Sequence, residues 1–222
     1  MDEEPRRYGR RAFLGVVAAG LSALWWADGL ARHAGGAASK LQALVPSQGW
    51  RIYTIADTMP TFDRASWRLR IDGLVERPLD LSYDDLLALP RAEQVSDFHC
   101  VTGWSVEDVR WAGVRFRDLL APANPLPEAH ALRFLSAEHP YEDTLTLEQA
   151  HLADAMLAYE LDGKPLTRPH GAPARVVIPE MYGYKNVKWV ERIELTARAA
   201  DGYWERRGYD RDAWVGRSNG YA

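Results

Sequence analysis

The chain has 222 residues, with 27 Lys and Arg against 31 Asp and Glu and a formal net charge of −4. Hydrophobic residues make up 47% and charged ones 26%, which excludes a disordered chain, and the mild acidic excess offers nucleic acid no electrostatic footprint. A single cysteine excludes an intrachain disulfide and a cysteine-rich zinc site.

Residues 1–40 form a separate piece. Arg6, Arg7, Arg10 and Arg11 precede an uncharged run over residues 12–27. As a helix this run spans roughly 24 Å, short against a bilayer core of ~30 Å. Trp25 and Trp26 close it, where an interfacial aromatic belt falls. Arg10-Arg11 followed by Ala12-Phe13-Leu14 resembles a twin-arginine export signal, a route that carries proteins already folded. The pattern predicts an apolar N-terminal helix that acts as a signal, or as a membrane anchor if uncleaved. The rest of the chain is then periplasmic or on the extracytoplasmic face of the membrane. Residues 32–40 are an Ala/Gly-rich linker.

Residues 41–200 read as one domain. Trp67, Leu69 and Ile71 alternate with Arg68 and Arg70, a half-buried strand closed by Gly73. Ser82 with Asp85 is a capping box for a short helix that stops before Pro90. Residues 114–120 predict another short helix and residues 131–135 a strand. Thr146 with Gln149 opens a helix through about Ala153. Residues 156–161, 175–178 and 188–195 predict strands. Short strands and scattered helices give an α+β fold rather than a regular βαβ alternation. Residues 201–222 carry Tyr203, Trp204, Tyr209, Trp214 and Tyr221. That aromatic load predicts a tail packed on the domain, with its arginines bordering a substrate entrance and drawing in an oxyanion.

Common catalytic motifs fail. There is no G-x-G-x-x-G, no phosphate-binding P-loop and no C-x-x-C-H. Gly216-Arg217-Ser218-Asn219-Gly220 fits a hydrolase pattern but has no helix to follow it. The residues around Cys100 are more informative: Asp97, His99 and Thr102 make a polar setting, and Gly103 suggests a turn. Cys100 is therefore either a buried small hydrophobe or a thiolate acting as nucleophile or soft metal ligand. On a strand, His99 points away from Cys100, which disfavours a cysteine enzyme using that histidine. Downstream, residues 168–175 and 183–189 hold cations among glycines and prolines, either a phosphate cradle or a solvated loop.

Phe98-His99-Cys100-Val101-Thr102-Gly103-Trp104-Ser105, then Trp111-Ala112-Gly113-Val114, His170-Gly171-Ala172-Pro173-Ala174-Arg175-Val176-Val177-Ile178-Pro179 and Gly183-Tyr184-Lys185-Asn186-Val187-Lys188-Trp189, together resemble the molybdopterin-binding domain of the sulfite oxidase family. Order and spacing agree over roughly residues 50–197. The nearest likeness is to small bacterial exported members, including the periplasmic methionine-sulfoxide reductase catalytic subunit. The resemblance implies mixed sheets with short helices and a molybdenum–molybdopterin cofactor. It implies that Cys100 is the molybdenum ligand and the catalytic residue. It puts cofactor contacts at Tyr53, Thr54, Ser136, His170, Arg175, Asn186, Val187 and Lys188. Thr102 departs from the methionine-sulfoxide reductases, which tend to carry an acidic residue there, so the substrate transfers less well than the cofactor.

The implied chemistry is two-electron oxygen-atom transfer on a small sulfur or other oxo substrate. The chain has no haem or iron–sulfur motif of its own, so electrons pass through a redox partner, a membrane cytochrome b or a soluble cytochrome c. The alternative is a non-enzymatic binding or assembly module that keeps the fold without metal.

Overall fold

A computed structural model describes residues 49–218. The expected export helix and linker, and the last four residues, lie outside the described residues. Two five-stranded sheets make the framework. The first has the order β2-β1-β10-β5-β6, from β1 (Arg68–Gly73), β2 (Leu79–Ser82), β5 (Ala131–Ser136), β6 (Glu142–Thr146) and β10 (Val190–Thr196). Only β1 and β10 run parallel within it. The second has the order β3-β4-β7-β8, with β9 also pairing β7. Its strands are β3 (Ala92–Cys100), β4 (Trp104–Arg115), β7 (Met156–Leu161), β8 (Lys164–Pro165) and β9 (Arg175–Val177). Three short helices connect them: α1 (Tyr83–Ala88), α2 (Phe116–Leu120) and α3 (Leu147–Ala150). None of the described helices is long and apolar enough to cross a membrane.

Local chemistry explains most boundaries. In β1, Leu69 and Ile71 are buried while Arg68 and Arg70 are exposed, which is the period-2 pattern of a strand with one face on a core. Ser82 and Asp85 satisfy each other's backbone N–H groups at the start of α1, which buries Tyr83 and Leu86. Thr146 and Gln149 do the same for α3. That helix ends at Ala150 rather than near Ala153, because the chain turns there: Leu152 N–H donates to the Gln149 carbonyl (3.2 Å) and Ala155 N–H to the Leu152 carbonyl (3.1 Å). Val114 and Arg115 belong to β4 rather than to the helix expected over 114–120. Residues 111–114 are buried in succession, and the β4–β7 register slips between Ala112 and Gly113. A bulge of this kind erases the alternation that marks a strand. A Cβ at Gly113 would sit 2.1 Å from the Leu157 carbonyl oxygen, so only glycine permits this approach.

The main core includes Leu69, Ile71, Phe116, Phe134, Val176 and Ile193, all fully buried. A second, smaller cluster holds Val109, Trp111, Met156, Ala158, Leu166 and Val177. Trp204, Tyr209 and Trp214 of the C-terminal segment pack partly buried against the main core. Backbone bonds fasten this segment: Tyr182 donates to Ala213 (2.9 Å) and Val215 to Glu180 (2.9 Å).

One ionic cluster ties three parts of the chain together. Lys185 Nζ donates to Asp143 of β6 and to Glu205 of the C-terminal segment (2.7 Å to Glu205), and all three side chains are at most 2% exposed. Asp143 Oδ2 and Glu205 Oε2 have no further partner. Burial pushes the Asp143 carboxyl up to about 7, against the pull of Lys185. In this window the folded state holds a proton that the unfolded chain has released. The cluster's contribution to stability is therefore largest near pH 4 and falls as pH rises through about 7. Asp143→Asn should flatten that slope in denaturant titrations from pH 4 to 8. Lys185→Met should cost about 3–5 kcal/mol at pH 7, because it leaves two buried carboxyls without a cation.

Candidate active site

β3 ends at Cys100, the chain turns through residues 101–103, and β4 starts at Trp104, the partner of Cys100 in register. Gly103 lies at φ +86° and donates to the Cys100 carbonyl (3.0 Å), which makes the turn tight. Cys100 is half-buried at this hairpin tip, on the wall of a cavity of about 490 Å³. Its Sγ lies 3.2 Å from the Thr102 hydroxyl. His99 faces a separate polar depression with Asp97 and Glu180, and its Nδ1 meets Ser105 Oγ at 2.8 Å. Strand alternation thus separates the thiol from the neighbouring imidazole.

The same cavity is lined by Arg175, His170 and Lys188. Arg175 comes from β9 and is 3% exposed. Its guanidinium lies over Trp111 (5.1 Å) and Phe98 (5.5 Å) and donates to the carbonyls of His170 (3.2 Å) and Asn186 (3.5 Å). Its Nε has no partner, and burial pulls its pKa down to about 10. Lys188 Nζ donates to the Tyr53 carbonyl (2.6 Å) and sits 4.0 Å from the Trp189 ring centre. Burial, with Arg175 nearby, lowers it to about 8. His170 Nδ1 is buried without a partner, and burial plus the two cations hold the imidazole near pKa 4. Among the described residues, neither Arg175 nor Lys188 has a carboxylate within ion-pair distance.

The other expected residues frame these cations. Ser136 donates to the Lys188 carbonyl (2.7 Å) and accepts from the Glu138 N–H (3.0 Å). Asn186 Oδ1 accepts from Ile178 N (2.7 Å), which fixes the loop beside β9. Tyr53 and Thr54 line the cavity from a segment without regular secondary structure. Val187 is fully buried in the main core and does not line the cavity; its carbonyl accepts from Val176 (2.8 Å). Gly171, at φ +99°, lets the backbone pass Lys188 so closely that a Cβ would lie 2.9 Å from the lysine's own.

Sequence reasoning missed Glu138, whose carboxylate binds the Thr54 hydroxyl and the N–H of Ile55 (2.9 Å) and so holds the 53–55 segment in place. It also missed Trp50, Phe98, Trp104 and Tyr141 on the cavity wall. Phe98 and Trp104 flank Cys100 in the chain, so a signal existed; Trp50 and Glu138 carried none. The C-terminal arginines depart from expectation. Arg206 pairs with Glu142 (2.9 Å), Arg211 with Asp201 (Nε 3.0 Å), and Arg207 stacks on Tyr203 (3.6 Å). None of these three lines the cavity, although the Tyr203 ring that Arg207 covers does, and Arg217 lines the separate depression beside His99.

An uncompensated buried cation and three unpartnered donors or acceptors (Arg175 Nε, His170 Nδ1, Trp104 Nε1) suit an anionic ligand rich in polar atoms. Among the described residues, no cluster of three or more His, Cys, Asp or Glu side chains could hold a metal ion. A metal at Cys100 must then take most of its ligands from a cofactor.

The family described as oxidoreductase molybdopterin binding domain matches residues 56–204. The oxidoreductase YuiH of Bacillus subtilis is 42% identical over 147 residues, covering 66% of this chain and 74% of that protein. The protein-methionine-sulfoxide reductase catalytic subunit MsrP of Campylobacter jejuni is 32% identical over 160 residues, 65% of this chain and 54% of the relative. The sulfane dehydrogenase SoxCD of Paracoccus pantotrophus has a similar structure, with a TM-score of 0.61 and 28% identity over 68% of this chain and 42% of that one. The chain thus spans about half the length of several curated relatives it matches.

The electrostatics of the cavity give a direct test. The His170 ring should stay neutral from pH 5 to 8, so histidine-selective NMR of the cofactor-free protein should show no midpoint near 6.5 for it. A midpoint near 6.5 would place His170 in water, away from Arg175 and Lys188.

Proposed function

We propose that this chain, which belongs to the oxidoreductase molybdopterin binding domain family (the sulfite oxidase family) of molybdopterin-dependent oxidoreductases, performs two-electron oxygen-atom transfer on a small sulfur or other oxo substrate. The observation that carries this reading is the single thiol, Cys100, opening on a cavity whose buried Arg175 has no counter-charge. When bound, the molybdenum–molybdopterin group supplies the change of oxidation state and the site that gives or takes the oxygen atom.

The chain's own residues do the rest. Cys100 contributes the thiolate that ligates the metal. Arg175, Lys188, His170 and Asn186 hold the pterin phosphate, with Ser136 fixing the carbonyl of Lys188. Val187 acts through its backbone, tying the loop to β9. Tyr53, whose carbonyl accepts from Lys188, and Thr54, bound by Glu138, form one side of the cavity. Sulfoxide reduction consumes two electrons and two protons and releases water; sulfite oxidation is the opposite balance, with water as the oxygen source. Either direction needs a partner that supplies or takes the two electrons, for which a membrane cytochrome b or a soluble cytochrome c is the natural class. A relative from Azospira oryzae, 33% identical over 162 residues, is named a putative protein-methionine-sulfoxide reductase subunit. Arg10-Arg11 supports twin-arginine export to the periplasm, with the N-terminal helix as signal or anchor.

Protein purified through its native export route should carry close to one molybdenum per chain by metal analysis. Cys100→Ser should lose oxygen-atom transfer. A metal-free protein, or a fully active serine variant, would overturn the proposal. Arg175→Met should split two measurements: lower cofactor occupancy, but an equal or higher thermal midpoint for the cofactor-free protein. The first follows from losing a charge-assisted contact of about 1.5–3 kcal/mol. The second follows because an unpaired buried charge gives way to an apolar side chain of similar volume.

A further inference from the structure

The tip of the β3–β4 hairpin holds one contact that the oxygen-transfer reading leaves unused. Thr102 Oγ1 lies 3.2 Å from Cys100 Sγ, within hydrogen-bond reach for sulfur, and both residues line the cavity. Either atom can donate while the cysteine is a thiol. A metal-bound thiolate has no proton to give, so there the hydroxyl is the donor and the sulfur the acceptor. The backbone fixes this arrangement. Gly103, at φ +86°, donates to the Cys100 carbonyl (3.0 Å) and closes the turn, and Trp104 resumes the pairing opposite Cys100. Two heavy atoms on its Cβ restrict the threonine to few rotamers. The other polar side chains at the tip are used differently. His99 Nδ1 meets Ser105 Oγ (2.8 Å), and Trp104 Nε1 is buried without a partner.

From this geometry we propose that Thr102 is a positioning residue that tunes the metal through the sulfur: its hydroxyl draws electron density from the Cys100 thiolate and raises the reduction potential of the bound molybdenum. This rests on the reading of Cys100 as the metal ligand and deepens it. Adding one electron to the metal increases the negative charge carried by its sulfur ligand. A hydrogen-bond donor on that sulfur therefore stabilises the reduced form more than the oxidised one. The proton stays on Oγ1 and no bond breaks; only the one-electron equilibrium of the metal moves. A higher potential favours taking electrons from the substrate over giving them, so the same hydroxyl biases the direction in which oxygen is transferred.

The test is a potentiometric titration of the molybdenum-loaded protein, followed by the electron paramagnetic resonance signal of molybdenum(V). Thr102→Val removes the hydroxyl and keeps the branched shape. It should shift the one-electron equilibrium between molybdenum(V) and molybdenum(IV) about tenfold against the reduced form, ~59 mV toward more negative potential. Thr102→Ala should move it the same way, and Thr102→Ser, which keeps the donor, should retain most of the original value. The signal comes only from loaded molecules, so a folding defect lowers its amplitude and the molybdenum content without moving the midpoint. An unchanged midpoint in the valine and alanine variants would show that water replaces the hydroxyl at no cost, and would overturn the proposal. So would a serine variant that behaves like valine. In both cases Cys100 would stand as the ligand. A natively exported protein with no molybdenum at all would instead sink the oxygen-transfer reading beneath it.

Discussion

A guanidinium surrounded by two aromatic rings and two backbone carbonyls, with no carboxylate in reach, sets the terms for the whole cavity. Desolvating a charge costs several kcal/mol even after relaxation, and Arg175 recovers only part of that through Phe98, Trp111, His170 and Asn186. Its field then acts on its neighbours. It helps keep His170 neutral and lowers Lys188 to about 8, second in each case to burial, so the wall is less cationic than its residues would be in water. An anionic ligand would restore charge to the wall as it binds. The protein is preorganised for a partner whose absence costs it stability, a pattern expected at a binding site and wasteful anywhere else.

That cation and the thiol are 75 positions apart in sequence, and the fold joins them by two close approaches. The β3–β4 hairpin carries Cys100 and Phe98 to the cavity, and Phe98 packs where a Cβ on Gly183 would lie 2.3 Å from its ring. Gly171 yields to Lys188 in the same way. Gly183 lines the cavity itself, and Gly171 does not. Gly183 lets its loop meet the strand that bears the thiol, and Gly171 lets the loop of His170 meet that of Lys188. The segment 53–55 completes the enclosure from another direction, held by a carboxylate more than eighty residues away.

How much of this was legible follows from range. Features written in neighbouring residues came through: the capping boxes at Ser82 and Thr146, the alternation of β1, the opposed faces of His99 and Cys100. Motifs of eight or ten residues around Cys100, His170 and Lys188 were enough to suggest a family and a cofactor. What failed depends on partners far along the chain. Nothing near Glu138 announces that it will bind the backbone of residue 55. The C-terminal arginines look like a steering patch in sequence because charge is visible there and pairing is not. β4 was obscured by its own bulge, and β2 and β6 are too short and too polar to announce themselves by period.

Lys185 and Lys188 show why residue type alone cannot separate structure from function. They lie three positions apart in one loop, and both are largely withdrawn from water. Lys185 meets two carboxyls, and their attraction outweighs the desolvation that opposes it, so its pKa rises. Lys188 meets only carbonyl oxygens and an aromatic face, and desolvation wins, so its pKa falls to about 8. The first has its counter-charge inside the chain and serves as a fastening between a sheet and the C-terminal segment. The second has only Glu138, beyond ion-pair distance, to attract it, and faces a cavity beside Arg175. The distinction rests on where the compensating charge is found. For Lys185 the fold supplies it in direct contact; for Lys188 it supplies only the more distant Glu138, and for Arg175 it has to come from outside.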